Sequence, residues 1–140
     1  MSRPLHIAAA QYPLTEFAGL ADYEAKITSW VESAAGRGAE LLGGAQDIAM
    51  ELCSIAGRGS DLHGSMDAVS ELIPELERVH SALAARHGVT IVAGSAPHRR
   101  GPGHTVNVAH IYGPTGRRGS FDKIMPTPWE RDPWRNSGGR

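Results

Sequence analysis

The chain has 140 residues, of which 41% are hydrophobic and 21% charged. That length suits one domain with a single core. Fourteen basic residues against fifteen acidic ones leave a formal net charge of −1, which excludes the electrostatic footprint of a nucleic-acid binder or of a protein held on an anionic membrane.

Leu5 to Gln11, "LHIAAAQ", is a short apolar run ended by Tyr12-Pro13, as in a buried strand. Asp22 to Ala35 places Tyr23, Ile27, Trp30, Val31 and Ala34 at helical spacing, and Gly36-Arg37-Gly38 stops that helix. "AELL", from Ala39, opens a second strand, which then breaks into Gly-Gly-Ala-Gln-Asp where further apolar residues are expected. Residues 53 to 64 are rich in Gly and Ser and predict a loop. A longer helix is predicted from Met66 to His87, with Leu72, Ile73, Leu76, Val79 and Leu83 as its stripe and Gly88 as its cap. Pro74 marks a possible start of the helix proper.

"VTIVAGS", residues 89 to 95, is β-branched and apolar, a third strand. "HTVNVAHIYG", residues 104 to 113, alternates as a strand does, and "GRRGSFDK" closes a hairpin with it. The pairs Arg99-Arg100 and Arg117-Arg118 flank expected turns and read as solvated loop charges. The final stretch, "PWERDPWRNSGGR", has no periodicity. The order β-α-β-α-β-β-β predicts an α/β fold: a mixed sheet, parallel where helices join the strands, with helices on one face.

The phosphate-binding glycine motifs are absent, as are H-E-x-x-H and G-x-S-x-G. The seven histidines are scattered without metal-ligand spacing. Cys53 is the one cysteine, so no intramolecular disulfide forms, which fits a reducing, cytoplasmic setting. The N-terminus has no apolar h-region, and no run reaches the roughly 18 to 20 apolar residues of a membrane span. One stretch stands out. "FDKIMPTPWERDPW" sets Lys123 just after a strand, in a frame fixed by Pro126 and Pro128. A lysine so held can point its ammonium into a cleft and stabilise an oxyanion.

Taken together, these segments resemble the amino-terminal half of the nitrilase superfamily, the carbon–nitrogen hydrolases. "IAAAQYPL" is similar to the family's first strand, and "YEAKITSWVESAAGRGAELL" to the helix leading into its second. "VTIVAGS" and "TVNVAHIYGPTG" resemble its central strands. "FDKIMPTPWE" is similar to its lysine motif and is the most specific match. The resemblance covers residues 5 to about 135. It implies half of a four-layer α-β-β-α sandwich, with 1–140 as a partial domain cut before the strand that carries the nucleophile.

The resemblance also implies a chemistry. Family members attack a small amide or nitrile with a cysteine thiolate, use a glutamate as general base and acid, and stabilise the tetrahedral intermediate with a lysine. No metal or organic cofactor is needed. Lys123 matches the catalytic lysine, and Glu130 a second glutamate that orders the site. Gln46 occupies the general-base position, where a neutral amide cannot take a proton from a thiol. Asp47, one residue on, is a weaker substitute because a step along a strand turns it to the other face. Glu51 lies four residues further still. Cys53 sits outside the family's nucleophile context and is expected as a structural cysteine.

Three readings follow. The chain is a hydrolase, truncated and altered across residues 43 to 49, for instance by a compensated frame slip. Or it is a non-catalytic scaffold or interaction protein of that ancestry. Or it is an unrelated α/β domain with a chance lysine motif. Half a sandwich leaves sheet surface uncovered, so a homo-oligomer is expected, with a small amide or nitrile as partner and no nucleic acid or membrane.

Overall fold

Short apolar runs set the first two strands, and an amphipathic helix joins them. In the computed structural model, which describes residues 2–46, 48–58, 61–116, 118–132 and 134–139, β1 spans Ile7–Ala9 and β2 spans Leu41–Gly43. Between them α1 covers Leu20–Gly36 and buries Tyr23, Ile27 and Val31, one helical face. Trp30, expected in that stripe, instead lies 36% exposed against Tyr12, with ring centroids 5.5 Å apart.

The segment expected as a loop, 53 to 64, is helical only at its two ends. A 3-10 helix runs over Ile48–Ser54, and α2 covers Leu62–Glu71. The Asp61 side chain caps α2 by accepting from the Gly64 amide at 3.1 Å, a start signal that the surrounding Gly and Ser obscured. The single predicted helix 66–87 is two helices, because the chain breaks at Leu72 and α3 restarts over Ile73–His87 with Pro74 in its first turn. Gly88, at φ 66°, ends α3 in the left-handed conformation as predicted.

Strands β3 (Thr90–Gly101) and β4 (His104–Tyr112) form a long hairpin, followed by β5 (Arg118–Asp122), α4 (Pro128–Arg131) and β6 (Asn136–Ser137). The sheet order is β1-β2-β3-β4-β5, with β6 also beside β4. β1, β2 and β3 pair in parallel, while β3, β4 and β5 pair antiparallel, the mixed sheet expected from helical crossovers followed by hairpins. β3 runs further than predicted, so Arg99 and Arg100 lie in a strand rather than a turn. Arg99 pairs with Asp67, and Arg100 holds both carboxylate oxygens of Asp122 at 2.7 and 2.6 Å.

Register explains the core. Ala8, Leu42, Ile91 and Tyr112 align across the first four strands and face the helices. They pack with Tyr23 and Val31 of α1 and Leu76 and Leu83 of α3. Each fully buried aliphatic side chain there contributes about 1.5–3 kcal/mol. Side chains one residue out of phase point the other way. On that face Ile7 is 63% exposed and Phe121 59% exposed. Behind Trp30 a cavity of about 190 Å³ separates α1 from the sheet. Its sheet wall carries the small residues Ala8, Ala10, Gly44 and Ala93.

Candidate active site

Two strands share one edge of β4. β5 pairs with Val108 to Tyr112, and β6 pairs with Thr105 and Val106. The chain between them, from Lys123 onward, loops out and returns. Lys123 ends the β5 ladder, its amide donating to the Asn107 carbonyl at 2.8 Å, and its own carbonyl accepts from the Gly139 amide at 2.9 Å.

Pro126 and Pro128 bracket Thr127, which caps the single turn of α4. Thr127 Oγ1 accepts from the Glu130 amide at 3.2 Å, and Glu130 Oε2 accepts from the Thr127 amide at 2.7 Å. This reciprocal capping box follows from the spacing T-P-W-E. It also directs the Glu130 carboxylate inward, where the residue is 5% exposed. There Lys123 Nζ sits 3.0 Å from Oε1 and 2.9 Å from Oε2, and Asn107 Nδ2 donates to Oε1 at 3.1 Å.

Burial alone would raise the Glu130 pKa. The hydrogen bonds from Lys123, the Thr127 amide and Asn107 outweigh it and bring the carboxyl from the ordinary 4.5 down to about 2. A depressed carboxyl contributes stability that is complete above 4.5 and is lost as pH falls from there through about 2. Urea unfolding between pH 6 and pH 2.5 is therefore expected to show a loss of up to about 3 kcal/mol from this group, and a smaller loss in Lys123→Met. Equal losses in the two proteins would contradict that assignment.

Gln46 is placed differently. β2 ends at Gly43, and the Gly44 amide donates to the Val92 carbonyl at 2.9 Å. The backbone then crosses β3 at a bulge between Val92 and Ser95. The Gln46 carbonyl accepts from the Ser95 amide at 2.8 Å and from Ser95 Oγ at 3.2 Å. Ser95 faces Ala109, and Ala109 faces Phe121, so Gln46 lies level with a point two residues before Lys123. Its side chain is exposed, and among the described residues nothing bonds it to Lys123 or Glu130. The structure thus brings Lys123 and Glu130 together and leaves Gln46 outside their network. Asp47 lies outside the described residues. The segment at Gln46 is a turn, not the strand end expected from sequence.

Glu51 is committed elsewhere. Its side chain is fully buried; Lys26 Nζ lies 2.6 Å from Oε1, and Tyr12 Oη donates to Oε2 at 2.7 Å. Lys26 Nζ also sits 4.0 Å from the centre of the Tyr12 ring. Cys53 is half-buried in the 3-10 helix, and burial pushes its thiol pKa up, away from reactivity. The sequence reading did not find the Lys26–Glu51 pair, whose partners are far apart in the chain. It also passed over Asn107, although a polar residue between Val106 and Val108 in a buried strand was a visible signal. Among the described residues, no group of three or more His, Cys, Asp or Glu could hold a metal, and no helix is long and apolar enough to cross a membrane.

No family model matches the sequence, and no curated protein matches it. Solved structures do match. A carbon–nitrogen hydrolase from Helicobacter pylori G27 superimposes with a TM-score of 0.71 at 17% identity, over 97% of this chain and 45% of the other. A CN-hydrolase superfamily protein from Xanthomonas campestris, with an arsenic adduct in its active site, gives 0.72 at 19% identity, over 99% of this chain and 48% of that one. A double mutant of the amidase from Nesterenkonia sp. AN1, in complex with acrylamide, gives 0.63 at 19% identity, over 97% and 48%. The chain therefore has the fold of carbon–nitrogen hydrolase structures and spans about half their length.

Proposed function

We propose that this chain carries the lysine-bearing half of a carbon–nitrogen hydrolase site for a small amide or nitrile, and that it does not turn substrate over alone. The observation that carries this reading is the Lys123–Glu130 pair, fixed by a capping box at the end of β5 in a chain with that fold. In a complete site, a thiolate adds to the amide or nitrile carbon and negative charge builds on the oxygen or nitrogen. Lys123 donates hydrogen bonds to that charge. Glu130 keeps the ammonium paired and aimed between turnovers. Two groups are missing from this chemistry. Gln46 stands where the general base is expected and cannot take up the thiol proton. Cys53, with its raised pKa, is not the nucleophile.

Ammonia release from a panel of small amides and nitriles tests the proposal. The chain alone is expected to release none above the buffer blank, and Gln46→Glu alone is expected to leave that unchanged because no activated thiol is supplied. Release that disappears in Lys123→Ala would overturn the inactive reading while keeping the lysine's role.

The exposed, neutral Gln46 favours a second reading, a scaffold that holds a small amide without hydrolysing it. Chemical-shift changes at Lys123 on adding acetamide, with no ammonia released, would favour it. We further propose a cytoplasmic protein that self-associates through the uncovered sheet face. Ile7 and Phe121 lie there, and Ile124, Met125 and Trp129 are also exposed, at 69%, 83% and 62%. Light scattering at micromolar concentration is expected to give a dimer or larger species; a monodisperse monomer would count against self-association.

A further inference from the structure

We infer that Asn107 is a positioning residue that grips both members of the Lys123–Glu130 pair, resting on the reading of Lys123 as the group that meets developing negative charge. The residue sits in the middle of β4 and is 5% exposed, between Val106 and Val108, each 1% exposed. Strand propensity and burial both favour an apolar side chain at such a position. The amide is retained with its accounts incomplete: Nδ2 donates to Glu130 Oε1 at 3.1 Å, while Oδ1 is buried with no partner among the described residues. A buried acceptor without a partner is destabilising by about 1–3 kcal/mol. Stability alone does not explain asparagine here, and the bond to Glu130 does.

The orientation of the amide is fixed by chemistry. Only the nitrogen can donate to a carboxylate, so Nδ2 must face Glu130 and Oδ1 must turn away. At the same time the Asn107 carbonyl holds the Lys123 amide at 2.8 Å. One residue thus fixes the lysine by its backbone and the glutamate by its side chain. Lys123 Nζ and Asn107 Nδ2 converge on the same oxygen, Glu130 Oε1, at 3.0 and 3.1 Å. With both donors present, the carboxylate cannot rotate without breaking a bond, and the ammonium is held in one place. The groups that set the Glu130 charge are Lys123 from the end of β5, the amide and hydroxyl of Thr127 from its own turn, and Asn107 from β4.

A substitution of the side chain leaves the backbone bond to Lys123 in place, so the two grips can be separated. The test follows the Glu130 carboxyl by carbon-13 NMR across pH in the full chain, in wild type, Asn107→Val and Asn107→Asp, with thermal unfolding at neutral pH beside it. Asn107→Val removes the donor, and the Glu130 midpoint is expected to rise by about one unit. Asn107→Asp keeps the shape but sets a like charge against Glu130, and a larger rise is expected. Asn107→Ser, which restores a short donor, serves if the valine variant does not fold, with a smaller rise expected. A purely structural asparagine would lower the melting temperature and leave the Glu130 midpoint where it is in every folded variant; that result overturns the inference. The titration needs no substrate, so absence of ammonia release bears on the hydrolase reading and not on this one.

Discussion

Glu51→Ala is expected to lower stability by about 3–5 kcal/mol, because it strips the partner from a lysine that is itself largely buried. Lys26 is 16% exposed at its side chain and Glu51 is 0% exposed. The carboxylate does more than neutralise. It accepts from Tyr12 Oη and from the Thr15 amide, and the carbonyl of the same residue accepts from Ser54 Oγ at 2.7 Å. Ser54 Oγ in turn accepts from the amide of Phe17 at 2.9 Å, and Phe17 is 9% exposed. One glutamate therefore fastens the chain after β1 to the 3-10 helix. For a chain of this size the melting temperature should fall by about 10 °C or more. Replacing both charges, as in Lys26→Met with Glu51→Leu, is expected to cost less than Glu51→Ala alone, since no unpaired buried charge remains. Thermal unfolding of the three variants decides it, and a Glu51→Ala protein melting within 2–3 °C of wild type would show the network to be dispensable, since that shift corresponds to about 1 kcal/mol.

The second large effect is expected at Gly94. This residue holds φ +82° at the bulge of β3, a conformation that side chains rarely adopt. A Cβ there would lie 2.2 Å from the Ala45 carbonyl oxygen and 3.0 Å from that of Gln46. Both are backbone atoms, so no rotamer change relieves the clash. Gly94→Val should destabilise by about 3 kcal/mol or more and detach the 45–46 crossing from β3. Gly94→Ala should act in the same direction. Gly43→Ala is the contrast: its Cβ would meet only the Ala8 carbonyl oxygen, at 3.9 Å, and a change within about 1 kcal/mol is expected. Hydrogen exchange at the Ser95 amide reads the crossing directly, since that amide bonds to Gln46. Unchanged protection in Gly94→Ala would refute the clash.

Most of the sheet could be read from the chain because its signals are local. The apolar and β-branched runs at Ile7, Leu41 and Thr90 became strands, and Gly88 ended α3 as a left-handed cap should. Lys123 and Glu130 were named from the family resemblance, while the contact between them follows from a capping box and two prolines within the eight residues that join them. What stayed hidden depends on distance along the chain. Lys26 and Glu51 are 25 residues apart, and Asn107 and Glu130 are 23 apart, so no spacing rule joins them. The 3-10 helix at Ile48–Ser54 was missed because so short a turn shows no 3.6-residue periodicity, and the start of α2 at Leu62 fell four residues before the predicted start at Met66, inside a stretch rich in Gly and Ser, although Asp61 and Glu51 each hold a specific partner. At Gln46 the sequence implied a strand end, and the bulge at Gly94 turns that end into a crossing.

The cavity behind Trp30 makes volume, as well as heat and acid, a variable of this fold. The cleft of about 190 Å³ is open to solvent on one side, so only its inner part, over Ala8, Ala10, Gly44 and Ala93, counts as space that unfolding removes. Unfolding should then shrink the system, by an amount within the usual range of about 20–100 mL/mol. Hydrostatic pressure will act first on the α1 edge of the sheet, three strands away from Lys123. The lysine-bearing edge, tied by the β4 ladder and the capping box, should be the last part of the molecule to yield to compression.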